Sequence, residues 1–351
     1  MISAAAVCVS AISCSKDVEE WNGNGNGGSK PKPETVIDWK SRAKETYLSI
    51  VRNYRIGTGA ASGLFKENYP AGSGDGLASF LWPYDGMVSG LAALNRLGED
   101  VGYVNAVENF QKYYRTYGAV AVGGYGSSTD GNNGGGALWW NESYRNVPGS
   151  DSSNKPACAN GFATWFLLSY YEFCPQSEKK QVLDMAKEFY GWLYENLRDP
   201  MDNVYWNSKG ADGVINKTKW TYNSGAMIAS GLRLYKITGE AKYLQQAKDT
   251  ADGAYKNFVR NNNDLFCYPT HDPWFTVQLI KSYIELEPEH TPCKSYIKTF
   301  VSYADYAWKH ARGQNGLFYE DWSGRNPNLE RDKSLLMQAA ALESFAVIAL
   351  Y

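Results

Sequence analysis

From Asp38 onward the apolar and polar positions fall into two alternating kinds of helical segment. The first kind is amphipathic and carries many charges. The pattern predicts such helices at about 39–55, 102–117, 177–198, 241–259 and 293–312. Leu183-x-x-Ala186-Lys187 and Leu244-x-x-Ala247-Lys248 show the shared spelling. The second kind is more apolar and rich in small residues, at about 82–98, 157–173, 222–238, 272–287 and 334–350. Gly225-Ala226-Met227-Ile228-Ala229-Ser230-Gly231 and Gln338-Ala339-Ala340-Ala341-Leu342 are examples. A helix apolar on most sides must be buried on most sides, while a charged amphipathic one keeps a wet face. Strict alternation therefore predicts an all-α fold of two concentric layers, an α/α toroid with charged helices outside and small-residue helices inside.

The loops that lead from outer to inner helices repeat as well. They are Gly63-Leu64-Phe65-Lys66-Glu67, Gly136-Ala137-Leu138-Trp139-Trp140-Asn141, Asn203-Val204-Tyr205-Trp206-Asn207, Asp264-Leu265-Phe266-Cys267-Tyr268 and Gly316-Leu317-Phe318-Tyr319-Glu320. Each reads as a turn residue, an apolar pair, then aromatic or polar positions. All five should lie on one face of the toroid, and loops on one rim of a rigid scaffold are where function usually lives.

Composition sharpens this. The 351 residues include 12 Trp, 26 Tyr and 13 Phe, 34 Gly, and only three His. That balance suits a carbohydrate-handling surface better than a His-metal site. A net charge of -2 offers no basic field for nucleic acid. No apolar run reaches the roughly 18 residues of a membrane span.

The first 37 residues are of another kind. Residues 1–20 read as an export signal: a small, apolar stretch ending at Cys14, followed by Ser15-Lys16-Asp17, without the usual positive start. They resemble a bacterial lipoprotein signal, which implies cleavage before Cys14 and its lipidation. The expected location is then the outer membrane or cell surface, or the periplasm. Residues 21–37 read as a flexible Gly/Asn/Pro linker, and 38–351 as the barrel domain. Cys158 and Cys174 read as small buried fillers, and no Cys/His spacing suits zinc. No metal or other cofactor is expected. No Gly-x-Ser-x-Gly elbow is present.

Several phrases then carry a family resemblance. Gly123-Gly124-Tyr125-Gly126-Ser127-Ser128-Thr129-Asp130-Gly131 comes first, then Gly134-Gly135-Gly136-Ala137-Leu138-Trp139-Trp140-Asn141-Glu142. Ala157-Cys158-Ala159-Asn160-Gly161, Tyr205-Trp206 and Thr221-Tyr222-Asn223-Ser224-Gly225 follow in order, and Leu81-Trp82-Pro83-Tyr84-Asp85-Gly86-Met87 fits a first inner helix. Together they resemble glycoside hydrolase family 76, the bacterial endo-α-1,6-mannanases. The resemblance implies an (α/α)6 barrel of twelve helices and cleavage of internal α-1,6-mannosyl bonds with retention.

The helix count is ten, however, and the family's adjacent Asp-Asp catalytic pair has no counterpart. Gly131 runs through Asn132-Asn133 directly into Gly134, and no Asp-Asp dipeptide occurs in the chain. The simplest reading is that one inner–outer helix pair is absent, and the catalytic acids with it. A retaining glycosidase needs two carboxyl groups about 5–5.5 Å apart, so the catalytic residues stay unassigned. The expectation is an α-mannan hydrolase by relatedness whose turnover is in question, or an inactive surface glycan-binding lipoprotein. A third class on this toroid, an unsaturated-glucuronide hydrolase, would need a basic pocket that the sequence does not display.

The candidate sugar-binding residues are Asp85, Trp139, Trp140, Asn141, Asn160, Tyr222 and Asn223. Asp85 either faces the cleft or complements its helix dipole. Trp139, Trp140 and Asn141 read as a stacking platform with a polar tip, or as rim packing. Asn223 reads as cleft-lining or as a cap, Asn160 as a weaker case of the same. Asp130 is more in keeping with a turn. Glu320, Asp321 and Trp322 form an acidic-aromatic cluster that could supply a substitute acid. The expected partner is α-mannan or a manno-oligosaccharide, with membrane contact only through the lipid.

Overall fold

The computed structural model describes residues 36–117, 127–128, 136–140, 153–325 and 333–351. The export signal with Cys14, nearly all of the linker, Asp130 and Asn141 lie outside the described residues. Ten α-helices are present among the described residues: α1 (Trp39–Tyr54), α2 (Leu81–Arg96), α3 (Tyr103–Tyr117), α4 (Ala157–Tyr170), α5 (Gln176–Leu197), α6 (Thr221–Thr238), α7 (Ala241–Phe258), α8 (Pro273–Leu286), α9 (Cys293–His310) and α10 (Leu335–Leu350). They fall where the hydrophobic pattern predicts them.

Local chemistry fixes several ends. Asp38 caps α1, its carboxylate accepting from the Ser41 N–H at 2.9 Å. Gly239, at φ 73°, ends α6 in the left-handed conformation that glycine adopts without penalty.

The even-numbered helices form the inner layer. They pack in the order α4, α6, α8, α10, α2, with α5, α7, α9, α1 and α3 laid against them from outside. Among the described residues, α2 and α4 do not pack on each other as the other inner neighbours do. Thr221–Leu232 of α6 and Leu335–Ala346 of α10 are buried without a break, charged Glu343 included. Glycine makes the tight inner layer possible at α6. A Cβ on Gly225 would stand 2.8 Å from the Leu279 Cα, and one on Gly231 would stand 3.0 Å from the Tyr243 carbonyl oxygen.

The five outer-to-inner loops share one construction. Gly63, Gly136, Asn203, Asp264 and Gly316, the turn residues of the repeat, all have positive φ, from 61° to 87°. Four of the loops pair an arginine that follows an outer helix with the loop residue two or three places beyond the turn: Arg55 with Phe65, Arg198 with Tyr205, Arg260 with Cys267 and Arg312 with Phe318. The fifth pairs Ser127–Ser128 with Ala137–Leu138. Each loop is thus a small hairpin, and in three of them the apolar pair drops into the core: Leu64, Phe65, Val204, Tyr205, Leu317 and Phe318 are all buried, whereas Leu265 is half-buried and Phe266 exposed. The hairpins sit where inner helices begin, which defines one rim.

The four described cysteines are free thiols. Cys174, Cys267 and Cys293 are buried, and Cys158 is half-buried.

Candidate functional site

The N-terminal ends of the inner helices carry a connected set of aromatic rings. Trp82 on α2 stacks on Phe275 of α8 (centroids 6.1 Å apart, 6° between planes) and meets Trp274 edge-on at 5.6 Å. Phe275 contacts Trp220 at 5.4 Å and Tyr222 at 4.4 Å, both at the start of α6. Phe162 of α4 stacks on Tyr222 at 6.1 Å and tilts against Trp274 at 6.0 Å. Four inner helices therefore share one aromatic wall. Trp82 is 43% exposed, so its ring is open to a ligand.

Below this wall lies Asp85, the fifth residue of α2. It makes no capping bond, and its side chain is open to water. Burial of its surroundings nonetheless raises its pKa to about 6, with Lys281 pulling down and Glu343 pushing up. A carboxyl that is wet yet enclosed by protein lies on the floor of a cleft. Asp272 supplies a second carboxyl, half-buried at the start of α8. Desolvation raises its pKa and His271 lowers it.

Other candidates stand as follows. The Tyr222 hydroxyl is hydrogen-bonded to the Cys158 thiol, and burial raises the pKa of both groups. Asn223 is wholly buried and does not cap α6, whose cap position is Trp220. Both of its amide atoms lack a partner among the described residues. Trp140 remains on the surface, 44% exposed, its N–H bonded to the Asn154 carbonyl.

Two expectations are corrected. Trp139 is not half of a stacking platform: it is 1% exposed and lies under the Lys155 ammonium, 4.9 Å from the ring centroid. Nor does Asn160 line the cleft. Its amide accepts from the Leu138 N–H at 2.6 Å and donates to the Leu138 carbonyl at 3.0 Å, and it also donates to Pro156. Gln338 treats Phe318 in the same way, at 2.8 and 2.9 Å. Both are the fourth residue of an inner helix, so the repeat includes an amide clasp that holds the rim hairpin onto the helix it precedes.

Two members of the cluster at 320–322 lie in the interior. Trp322 is fully buried against Phe300, Tyr303, Phe318 and Phe345. Asp321 is buried and accepts from the Ser323 N–H, while His271 stands 3.9 Å away.

Sequence reasoning missed Phe275, Trp220 and Phe162, and the polar floor beside Asp85: Ser89, Gln278, Lys281 and Glu343. A signal existed for the floor. Glu343 is the one charged residue in the apolar run 335–350, and a carboxylate buried all round must be paired. Among the described residues no group of three or more His, Cys, Asp or Glu is placed to hold a metal ion, and no helix is long and apolar enough to cross a membrane.

Fold and cleft together define an α/α barrel with an aromatic, carboxylate-floored cleft on one rim. The model of glycosyl hydrolase family 76 matches residues 85–348, about three quarters of the chain, and the protein belongs to that family. Among solved structures, the chain is similar to a family 76 α-mannanase of Bacteroides thetaiotaomicron at 20% identity and a TM-score of 0.71, covering 90% of this chain and 96% of that one. An inactive variant of an α-1,6-mannanase from Salegentibacter sp., with two adjacent aspartates replaced by alanine and α-1,6-mannotetrose bound, matches at 19% identity and a TM-score of 0.71, covering 90% and 99%. Dfg5 from Chaetomium thermophilum, in complex with glucosamine, matches at 13% and 0.67, covering 92% of each chain. At these identities the likeness is one of fold, an (α/α)6 barrel. No curated protein matches the chain by sequence.

Proposed function

We propose that this protein takes α-1,6-linked mannan along the cleft. Trp82 and Phe275 offer ring faces to the C–H faces of the pyranoses, with Tyr222 packed behind Phe275, and Asp85 accepts their hydroxyls. The observation that carries the reading is an aromatic wall standing over an open carboxylate in a family 76 barrel. The Salegentibacter mannanase binds α-1,6-mannotetrose on the same fold, which supports it. The cleft floor also speaks against an anionic sugar. Its one lysine among the described residues, Lys281, is paired with Glu343, so an ionised Asp85 leaves a net negative charge there. A uronate would be repelled.

In the family's reaction the chain is an endo-α-1,6-mannosidase acting with retention. A second reading, a surface glycan-binding protein that keeps the cleft without turnover, is favoured by a specific observation: the sequence has no Asp-Asp pair. Loss of a general acid alone costs about 10²–10⁴-fold in rate. Incubation of α-1,6-mannan with the purified protein, with products read by chromatography and binding by calorimetry, separates the two. Released manno-oligosaccharides support the hydrolase. Binding without release supports the second reading, and neither binding nor release overturns both. Export and lipid anchoring at Cys14 complete the proposal. Palmitate labelling that persists in Cys14→Ser would overturn that part.

A further inference from the structure

Four polar side chains from three inner helices meet below the aromatic wall: Ser89 of α2, Gln278 and Lys281 of α8, and Glu343 of α10. Glu343 is 1% exposed. Its Oε1 accepts from Lys281 Nζ at 2.8 Å and from Ser89 Oγ, and its Oε2 accepts from Gln278 Nε2 at 3.3 Å. Lys281 also donates to Gln278 Oε1 at 3.2 Å and lies 5.7 Å from the Trp165 ring centroid. A buried ion pair is weak support for stability, because apolar residues of equal volume often serve as well or better. This pair therefore calls for another task, and its position supplies one.

Asp85 stands one helical turn before Ser89 on the same face of α2. No hydrogen bond reaches its carboxyl among the described residues. The charges acting on it are Lys281 from α8 and Glu343 from α10. The cleft-facing residues described above from α4 and α6 (Cys158, Phe162, Trp220 and Tyr222) carry no charge at neutral pH.

We propose that Lys281 and Glu343 are positioning residues for Asp85: their ion pair, bridging α8 and α10 and tied to α2 through Ser89, sets the charge that the cleft floor presents to a sugar hydroxyl. The proposal rests on the reading that Asp85 meets the glycan. A carboxylate accepts hydroxyls in its ionised form, so binding favours that form and releases a proton wherever free Asp85 is still protonated. Asp85 titrates near pH 6, so the release falls between about pH 5 and 6.5. The two partners pull in opposite directions. Without Glu343 the ionisation of Asp85 becomes easier, and without Lys281 it becomes harder.

The test is the titration of the ligand-free protein, labelled with ¹³C at aspartate carboxyls, with the Asp85 resonance assigned by its loss in Asp85→Asn. The expected midpoint moves to lower pH in Glu343→Gln and to higher pH in Lys281→Met. Lys281→Met leaves a buried carboxylate unpaired and could fail to fold. The double variant K281M/E343Q removes both charges and leaves neither unpaired, and its midpoint should lie above that of Glu343→Gln, because it lacks the Lys281 ammonium. Unmoved midpoints, a rise in Glu343→Gln, or a double-variant midpoint at or below that of Glu343→Gln, would overturn the proposal. Calorimetry with α-1,6-mannotetrose in two buffers of different ionisation enthalpy then reads proton release. Midpoints that move as expected without any mannan binding would uphold the positioning role and sink the mannan reading alone.

Discussion

Replacing Asn160 by Ala removes the amide that holds both backbone polar groups of Leu138. The Leu138 N–H and carbonyl would each lose a partner in a part-buried setting. An unsatisfied buried group costs about 1–3 kcal/mol, and partial exposure places these two toward the low end. The expected loss is about 2–4 kcal/mol. A chain of this size shifts its melting temperature by roughly 2 °C per kcal/mol, so Tm should fall by roughly 4–8 °C. Scanning fluorimetry reads that directly. Calorimetry on folded protein at low temperature should show mannan affinity changed by less than about threefold, because the side chain faces the hairpin and not the cleft. An unchanged Tm with affinity down tenfold or more would refute the clasp and return Asn160 to the sugar site.

Other outcomes follow from the same geometry. Trp82→Ala should weaken mannan binding about tenfold, the scale of 1.4 kcal/mol, with Tm almost unchanged; Trp139→Ala should do the reverse, losing about 3–5 kcal/mol of stability while affinity holds. Wild-type affinity should be about tenfold weaker at pH 5 than at pH 7, following the ionised fraction of a group titrating near 6, and Asp85→Asn should flatten that profile in calorimetric titrations. The raised pKa of Asp85 also has a stability sign. Its contribution is fully present below about pH 3.8 and is lost as pH rises through 6, so Asp85→Asn should raise Tm at pH 7 and leave it unchanged near pH 4. Gly225→Ala should destabilise by about 1–3 kcal/mol despite its better helix propensity, as read by urea unfolding, because the Leu279 backbone has no room to give.

Periodicity made the helices legible because it records burial, and burial is what separates the inner layer from the outer. The five turn residues were legible for a related reason: glycine, asparagine and aspartate tolerate positive φ, and all five adopt it. Side-chain direction was not legible. Trp139 and Trp140 are adjacent on one short strand end, so one ring faces the core and the other faces water, and nothing in the spelling says which. Asn160 and Asn223 look alike at the starts of α4 and α6, yet they stand one helix position apart. That single step sets Asn160 against a hairpin and leaves Asn223 buried without a partner among the described residues.

The innermost contacts join segments far apart in the chain. The Tyr54 hydroxyl donates to the Lys333 carbonyl, Asn68–Tyr69 pairs with Lys333–Ser334, and Ser89 reaches Glu343. During synthesis, α1 and α2 must therefore wait, with their apolar faces uncovered, until α10 has emerged. Closure of so long a loop delays the last folding step and lengthens the time in which an incomplete chain can aggregate. That same delay keeps the polypeptide unfolded for longer, the state in which a chain can be threaded through a secretion channel.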